Sequence, residues 1–353
     1  MGSVLKVGKI GICGHFNLNG EAVGGQTIKT RIIGETLSGI YGLEQVKRLD
    51  TAGWRKKAPV FLIQCVKLAC QSEHIVILPA HRGVKVLVPL FVFLSRLFGR
   101  KLHYVVVGAW LADLLKGSRL LTKIMKKVDF IYPQTNTLIE KLNKIGIAGN
   151  LYLMPNFKAV PPLNLDFDGI AFEKPYKLCM MSRINCQKGV EAAVEAVRRL
   201  NIKHGKKTAV LDIYGPVEDG YKERFEELLS SNSEYVRHRG TVDYNHAVNV
   251  LKDYYLLLFP TKYFTEGFPG TILDGYLSGV PVLASKWESW QDIIEDKRTG
   301  YVYEFDDDHD FFTKLDFLIQ NPDTVLLMKK NCLKEAQKYS PDRAVKVLAD
   351  NIS

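Results

Sequence analysis

Phe264 to Ser285 reads FTEGFPGTILDGYLSGVPVLAS. It sets Glu266 and Asp274 eight positions apart around the turn Gly267-Phe268-Pro269-Gly270, and follows them with a small-residue stop at Ser278-Gly279 and a short apolar run. The pattern predicts a loop, a helix starting near Thr271 and a buried strand. Backbone N–H groups from Gly267 through Phe268, Gly270, Thr271 and Ile272 then point at whatever lies above the helix N-terminus, a setting that suits phosphate. Asp274 is expected on the first turn of the helix and Glu266 on the loop ahead of it, so both acids reach one cleft. Carboxylates beside an anion site repel further anions and take up hydroxyl donors instead. A ligand with a phosphate core and polyol arms, such as a nucleotide sugar, fits that logic.

Outward from this stretch, short β-branched runs alternate with helical stretches, which argues parallel sheets with crossover helices. In the first half, Val7 to Cys13, Ile75 to Pro79, Leu102 to Val107, Phe130 to Tyr132 and Leu151 to Met154 read as strands. In the second, Leu178 to Met181, Val210 to Tyr214, Tyr235 to His238, Leu256 to Phe259 and Pro281 to Ala284 do the same. Each set is expected to fill its own doubly wound sheet. The division is an N-terminal Rossmann-like domain over 1–160, a linker over 161–175 within the aperiodic run Lys158 to Pro175, a C-terminal domain over 176–338, and a last helix over 339–353. Ser340-Pro341-Asp342 reads as an N-cap, an N1 proline and a first-turn acid opening that helix.

Two cations stand five positions apart on the loop after the first strand of the second half: Ser182-Arg183 ends the strand and Lys188-Gly189 opens the next helix. A planar guanidinium and a point-charge ammonium can converge on a diphosphate there, with a solvated loop pair as the alternative. Gly24 and Gly25 precede a helix with apolar positions at Ile28, Ile32, Ile33 and Leu37, so the backbone can come close to a ligand at the helix start. Gly11-Ile12-Cys13-Gly14 fails the GxGxxG spacing, which removes the main support for a dehydrogenase.

Taken together, E(x7)D, the Gly279-Val280-Pro281-Val282 that follows it, R(x4)KG and the Gly-Gly loop resemble the retaining family 4 glycosyltransferases. The resemblance is strongest from Leu178 to Tyr303. It implies the GT-B fold, with two Rossmann-like doubly wound parallel-sheet domains facing across a cleft and the last helix crossing back to the N-terminal domain. It implies a hexosyltransferase that moves a sugar with retention from a UDP- or GDP-linked donor, as co-substrate, to a saccharide hydroxyl, with no cofactor and no metal. By the same resemblance Arg183 and Lys188 hold the diphosphate, and Gly24 and Gly25 approach it. Gly215, after Tyr214, and Val242, in Arg239-Gly240-Thr241-Val242, come near the base. Glu266 contacts the transferred sugar, Asp274 the ribose, and Phe268 to Ile272 bring backbone donors. Two departures stand out: Asp replaces the usual Glu at 274, and Gly108-Ala109-Trp110 stands where many members carry a histidine. The candidate catalytic set is Glu266, Arg183 and Lys188. A catalytically silent nucleotide-sugar-binding subunit and a soluble enzyme for a small metabolite are the alternatives.

With 46% hydrophobic and 24% charged residues the chain reads as soluble and globular. Residues 1–165 hold 23 Lys+Arg against 8 Asp+Glu, or +15, so the remainder is −5 of the total +10. Such a basic half suits an anionic membrane face or a pyrophosphate-linked acceptor, and a solvated basic surface is the alternative. Nucleic acid is excluded for want of any accompanying motif. The expected setting is cytoplasmic, on the inner face of the plasma membrane, with a lipid-linked acceptor in surface polysaccharide synthesis. Val86 to Leu94, VLVPLFVFL, is far short of the roughly 20 residues of a spanning helix and reads as a buried helix rather than an interfacial one. The first residues lack the apolar core of a signal peptide, and Met1-Gly2-Ser3 reads as a plain start. Six scattered cysteines suggest reduced thiols. Asp306-Asp307-Asp308 reads as a solvated acidic loop, with a metal site as the alternative.

Overall fold

A computed structural model describes residues 9–18, 24–167, 169–205 and 207–353. Val7 and Gly8 of the first expected strand, Met1-Gly2-Ser3, and residues 19–23 of the first loop lie outside the described residues. The chain divides into two compact units, Met1–Ala159 with Pro341–Ser353, and Val160–Ser340.

In the first unit, β1 (Ile10–Gly14), β2 (Val46–Asp50), β3 (His74–Leu78), β4 (Lys101–Val105) and β5 (Phe130–Tyr132) pair in parallel in the order β2-β1-β3-β4-β5. Between them run α1 (Gly25–Tyr41), α2 (Ala58–Cys70), α3 (His81–Phe98), α4 (Leu111–Lys116), α5 (Arg119–Met125) and α6 (Asn136–Lys144). β2 has no counterpart in the sequence reading. Lys47, Arg48 and Asp50 break its apolar run, which an edge strand with half-exposed positions tolerates. Leu151 to Met154, expected as a strand, contributes only a bridge from Leu151 to Ile131 and the N–H bonds of Tyr152 and Met154 to Ile131 and Pro133. Val86 to Leu94 is indeed helical, in α3, but only one face is buried: Val84, Leu87, Val88 and Phe91 face the core while Val86 and Phe93 are exposed.

In the second unit, β6 (Tyr176–Met181), β7 (Ala209–Tyr214), β8 (Val236–His238), β9 (Leu256–Phe259), β10 (Val282–Ser285) and β11 (Gly300–Tyr303) form a parallel sheet in the order β11-β10-β9-β6-β7-β8. Its helices are α7 (Val190–Lys203), α8 (Lys222–Ser231), α9 (Ala247–Leu251), α10 (Gly270–Leu277), α11 (Asp308–Gln320) and α12 (Pro322–Ala336). β11 was not expected, because its opening glycine and two tyrosines read as loop. It closes the sheet edge on β10, where Gly300 leaves no room for a Cβ beside the Val282 carbonyl.

The last helix, α13 (Pro341–Asp350), belongs to the first unit. It buries Ala344, Val345 and Leu348, and the Tyr41 hydroxyl of α1 donates to Ala349 O at 2.8 Å. All six cysteines are free, and no described helix is long and apolar enough to cross a membrane.

One core residue of α1 works against stability. Lys29 is buried, its Nζ has no hydrogen-bond partner among the described residues, and it lies over the Phe157 ring at 5.6 Å. Another deeply buried lysine, Lys329, donates instead to the carbonyls of Tyr254 (2.7 Å) and Gly279 (3.4 Å). Burial lowers the Lys29 pKa to about 7. As pH falls through the ordinary lysine range, the unfolded chain takes up a proton that the folded chain refuses until about pH 7, so stability falls across that window. Lys29→Met is therefore expected to stabilise the protein on the order of 3 kcal/mol at pH 7 and by little near pH 10. Urea midpoints of both proteins at the two pH values check this, and equal gains at both would contradict it.

Candidate functional site

Open parallel sheets bind ligands beyond the C-terminal ends of their strands, where the chain reverses its direction across the sheet. In the second unit that point lies between β6 and β9. The chain leaves β6 toward β7 and β8, then returns to β9 on the other flank. A cavity of about 500 Å³ opens there, lined by Arg183, Lys188, Phe259, Glu266, Gly270 and Thr271 among others.

The loop after β6 is built for this position. Asn185 caps the turn at Cys186–Lys188, its Oδ1 accepting from Lys188 N at 3.1 Å. Gly189 then turns with φ +73°, and a Cβ at this residue would overlap the Pro260 carbonyl oxygen at the end of β9. Only glycine lets the two strand ends approach so closely. Gln187 O accepts from Lys262 N at 2.8 Å and ties the same loops together. Lys188 Nζ is thereby held in the cavity and pairs with Glu266 Oε2, both side chains being about one-fifth exposed. Arg183 is exposed and makes no ion pair among the described residues.

The opposite wall is the start of α10. Its N-cap is Pro269, which offers no side-chain cap, so the first N–H groups of the helix lack that partner. Thr271 Oγ1 is buried, lines the cavity and has no hydrogen-bond partner among the described residues. An orphaned hydroxyl beside two cations and an uncapped helix start is what a phosphate oxygen would satisfy. The Glu266 loop is held from behind: Ser289 Oγ donates to Glu266 O at 3.0 Å and itself accepts from Trp287 Nε1 at 3.1 Å.

The expected residues do not all converge. Arg183, Lys188, Glu266, Pro269, Gly270 and Thr271 line one cavity. Gly267, Phe268, Ile272 and Asp274 are off its lining: Ile272 is fully buried, and Phe268 packs edge-on against Tyr339 at 5.5 Å. α10 begins at Gly270, one residue earlier than expected, so Asp274 falls just past the first turn and is 8% exposed. Gly215 and Val242 lie on the neighbouring loops after β7 and β8, joined by the Gly215 N–H to Gly240 O bond of 2.8 Å. A Cβ at Gly215 would overlap the Ser182 carbonyl oxygen, so this glycine is fixed by the approach of the two loops. Gly24 and Gly25 open α1 in the first unit, and apart from their chain neighbours and the helix's own backbone no atom of the described residues lies within 4 Å of either Cβ position. The space beside both glycines is open on the side where a ligand was expected to approach the backbone.

Several positioning residues escaped the sequence reading. Asp212, buried on β7, accepts from Arg239 Nε at 2.9 Å and from Tyr254 OH at 2.7 Å, and Tyr254 OH meets Tyr214 OH at 2.8 Å. This network ties the ends of β7 and β8 beneath the Gly215 and Val242 loops. A lone acid inside the apolar run AVLDIY was the available signal. Asn185 and Ser289 carried none. The acids at 306–308 are engaged structurally: Asp307 caps α11 through His309 N and Asp310 N, and Asp306 and Asp308 pair with Lys262. Among the described residues no group of three His, Cys, Asp or Glu is placed to hold a metal.

The first unit has its own reversal point, between β1 and β3, and a cavity of about 250 Å³ lies there. It is lined by His15, Gln26, Trp54, Arg55 and Arg82 among others. His15 Nδ1 meets Thr27 Oγ1 at 2.7 Å, Gln26 Nε2 donates to Leu78 O at 2.8 Å, and Arg55 lies over the Trp54 ring at 5.7 Å. His81 stands edge-on to Trp110, and Asp113 pairs with Lys116 and Lys141.

Residues 164–338 match the family model Glycosyl transferases group 1. The fold is similar to that of Anabaena Alr3699/HepE solved in complex with UDP, at 12% identity and a TM-score of 0.74 over 98% of this chain and 99% of that one. It is similar also to sucrose-phosphate synthase (tll1590) from Thermosynechococcus elongatus, at 15% identity and a TM-score of 0.72 over 98% of each chain. The apo lipopolysaccharide outer core galactosyltransferase WaaB gives 17% identity and a TM-score of 0.67 over 98% of this chain and 99% of that one. A search of curated protein sequences finds no match.

Proposed function

We propose that this chain, whose residues 164–338 form a glycosyl transferases group 1 domain, is a retaining, metal-independent family 4 glycosyltransferase acting on a UDP- or GDP-linked sugar. The observation that carries the reading is the cavity between β6 and β9, where two cations, an orphaned threonine hydroxyl and an uncapped helix start surround one carboxylate. The relative bound to UDP lends support on the nucleotide. Departing diphosphate gains negative charge as its bond to the sugar breaks, and Arg183, Lys188 and the α10 N-terminus stabilise that charge where a metal ion would serve elsewhere. No side chain here is a convincing covalent nucleophile. The acceptor hydroxyl oxygen attacks the anomeric carbon on the face the diphosphate leaves, the carbon–oxygen bond to the β-phosphate breaks, and a β-phosphate oxygen takes the acceptor proton.

The acceptor is assigned to the first unit. Its cavity holds two arginines without an ion pair among the described residues and a tryptophan face, which suits a saccharide carrying phosphate, as a lipid-linked acceptor in surface polysaccharide synthesis does. Asp274, off the donor cavity, is the observation that favours the second reading, a silent nucleotide-sugar-binding subunit.

Thermal unfolding with excess UDP, GDP, ADP and dTDP in EDTA tests the donor site. A ligand at 100 times its Kd adds about 2.7 kcal/mol to the folded state, so one nucleotide should raise the midpoint without metal. No shift with any of them would remove the reading. Glu266→Ala is expected to lower turnover about 100-fold while nucleotide affinity holds or rises, because the variant frees Lys188 for phosphate. Equal loss of both would remove Glu266 from the sugar.

A further inference from the structure

Helices α2 and α3 each carry two apolar stripes where a surface helix has one. In α2, Phe61, Cys65, Leu68 and Ala69 face the core. Pro59, Leu62, Ile63, Val66 and Cys70, at i, i+3, i+4, i+7 and i+11, form a second stripe that is exposed, with Ile63 at 69%. In α3 the second stripe is Val86, Leu90, Phe93 and Leu97, at i, i+4, i+7 and i+11, with Phe93 at 62% and Leu97 at 60%. α2 packs on α3, α3 packs on α5, and Leu120 of α5 is 71% exposed. None of the described residues of the first unit covers these side chains.

The charge around the stripes is predominantly positive. Residues 54–128 hold 14 Lys+Arg and 2 Asp+Glu. Lys56, Lys57, Lys67, Lys85, Lys123 and Lys126 are exposed and make no ion pair among the described residues. Apolar stripes set among unpaired cations match the two layers of an anionic bilayer surface, acyl boundary and headgroup. A partner protein or a second copy would need a matching acidic rim, whereas only Lys101 and Lys116 of the exposed lysines in this region pair with an acid among the described residues.

We propose that the outer faces of α2 and α3 are a docking surface for an anionic lipid bilayer, with Leu62, Ile63, Phe93 and Leu97 entering the headgroup–acyl boundary and the surrounding lysines pairing with lipid phosphates. The inference deepens the proposed function, since it rests on the same acceptor reading and says how a lipid-linked acceptor is met. The cavity holding Arg55 and Arg82 stands at the N-terminal ends of these two helices, so a headgroup can reach it from the bilayer that the helices lie on.

Flotation of the full chain with vesicles of 30% phosphatidylglycerol in phosphatidylcholine tests it, against pure phosphatidylcholine and at low and high salt. The protein is expected to float with the anionic vesicles and about tenfold less with neutral ones. Ile63→Asp with Phe93→Asp, both at exposed positions, should lower the bound fraction about tenfold while the nucleotide-induced thermal shift is unchanged. That shift separates the two readings, because the donor site can fail while flotation persists, and the reverse. Equal flotation of wild type and the double variant, or no flotation with anionic vesicles at low salt, overturns the proposal. So does a concentration-dependent dimer in gel filtration that the double variant abolishes.

Discussion

Lys188→Ala is expected to lower kcat/KM for the nucleotide sugar about a thousandfold, the largest catalytic effect of any single change in the proposed reaction. Three circumstances concentrate the loss on this residue. Its ammonium is held inside the cavity by the Asn185 cap and the Gly189 turn, so it is already placed where negative charge develops. It is about one-fifth exposed, hence less screened by water than Arg183. Its removal also strands Glu266, whose carboxylate has Lys188 as its paired cation. Lys188→Arg should recover little, because a planar fork cannot occupy the place of a compact ammonium that lies over the Phe259 ring and pairs with Glu266. Release of nucleoside diphosphate from the donor, measured for wild type and both variants, decides it. A loss under tenfold would assign the phosphate to Arg183 and the helix start alone.

Gly189→Ala should cost about 3 kcal/mol or more of stability and abolish nucleotide binding with it. The residue combines a positive φ of +73° with a Cβ position that overlaps a backbone oxygen, that of Pro260. Backbone on a central strand end cannot move aside as a flexible side chain would, so the β6 loop must open instead. Opening it withdraws Lys188 from the cavity. Gly25→Ala is the control: it sits at a helix start with open space around it and should change stability by less than about 1 kcal/mol. Guanidinium unfolding of the two variants compares them, and a Gly189→Ala midpoint as high as that of Gly25→Ala would show that the close approach does not hold the loop.

The strands most readily seen in the sequence were the central ones. Leu256–Phe259, inside its sheet and buried throughout, has the bounds expected of it, because a strand buried on both faces must be a continuous apolar run. β2 and β11 were missed for the converse reason: each is an edge with a half-exposed or glycine-led sequence, and it becomes a strand only because a neighbour offers its backbone. In the site, Arg183, Lys188 and Glu266 were legible from spacing, since a loop between a strand and a helix leaves few directions for a charged side chain. Asp274 was placed one position too early in its helix, as the Gly-Phe-Pro-Gly segment leaves the first helical residue undetermined within one position.

What the sequence by itself determined is therefore the class and the chemistry: two parallel-sheet Rossmann-like domains, cations before one helix and a carboxylate before another. Periodicity and local turn residues are carried by neighbours in the chain. Only the tertiary structure decided which of these meet. The reversal of strand order between β6 and β9 brings Lys188 and Glu266, 78 residues apart, into contact. It turns Thr271 Oγ1 into an orphan in the cavity wall and leaves Phe268 and Asp274 off it. In the first unit, packing among the described residues leaves one side of α2 and α3 exposed, which the run VLVPLFVFL could not reveal. An apolar sequence reports affinity for an apolar phase, and only packing determines whether the protein's own core or some other surface supplies it.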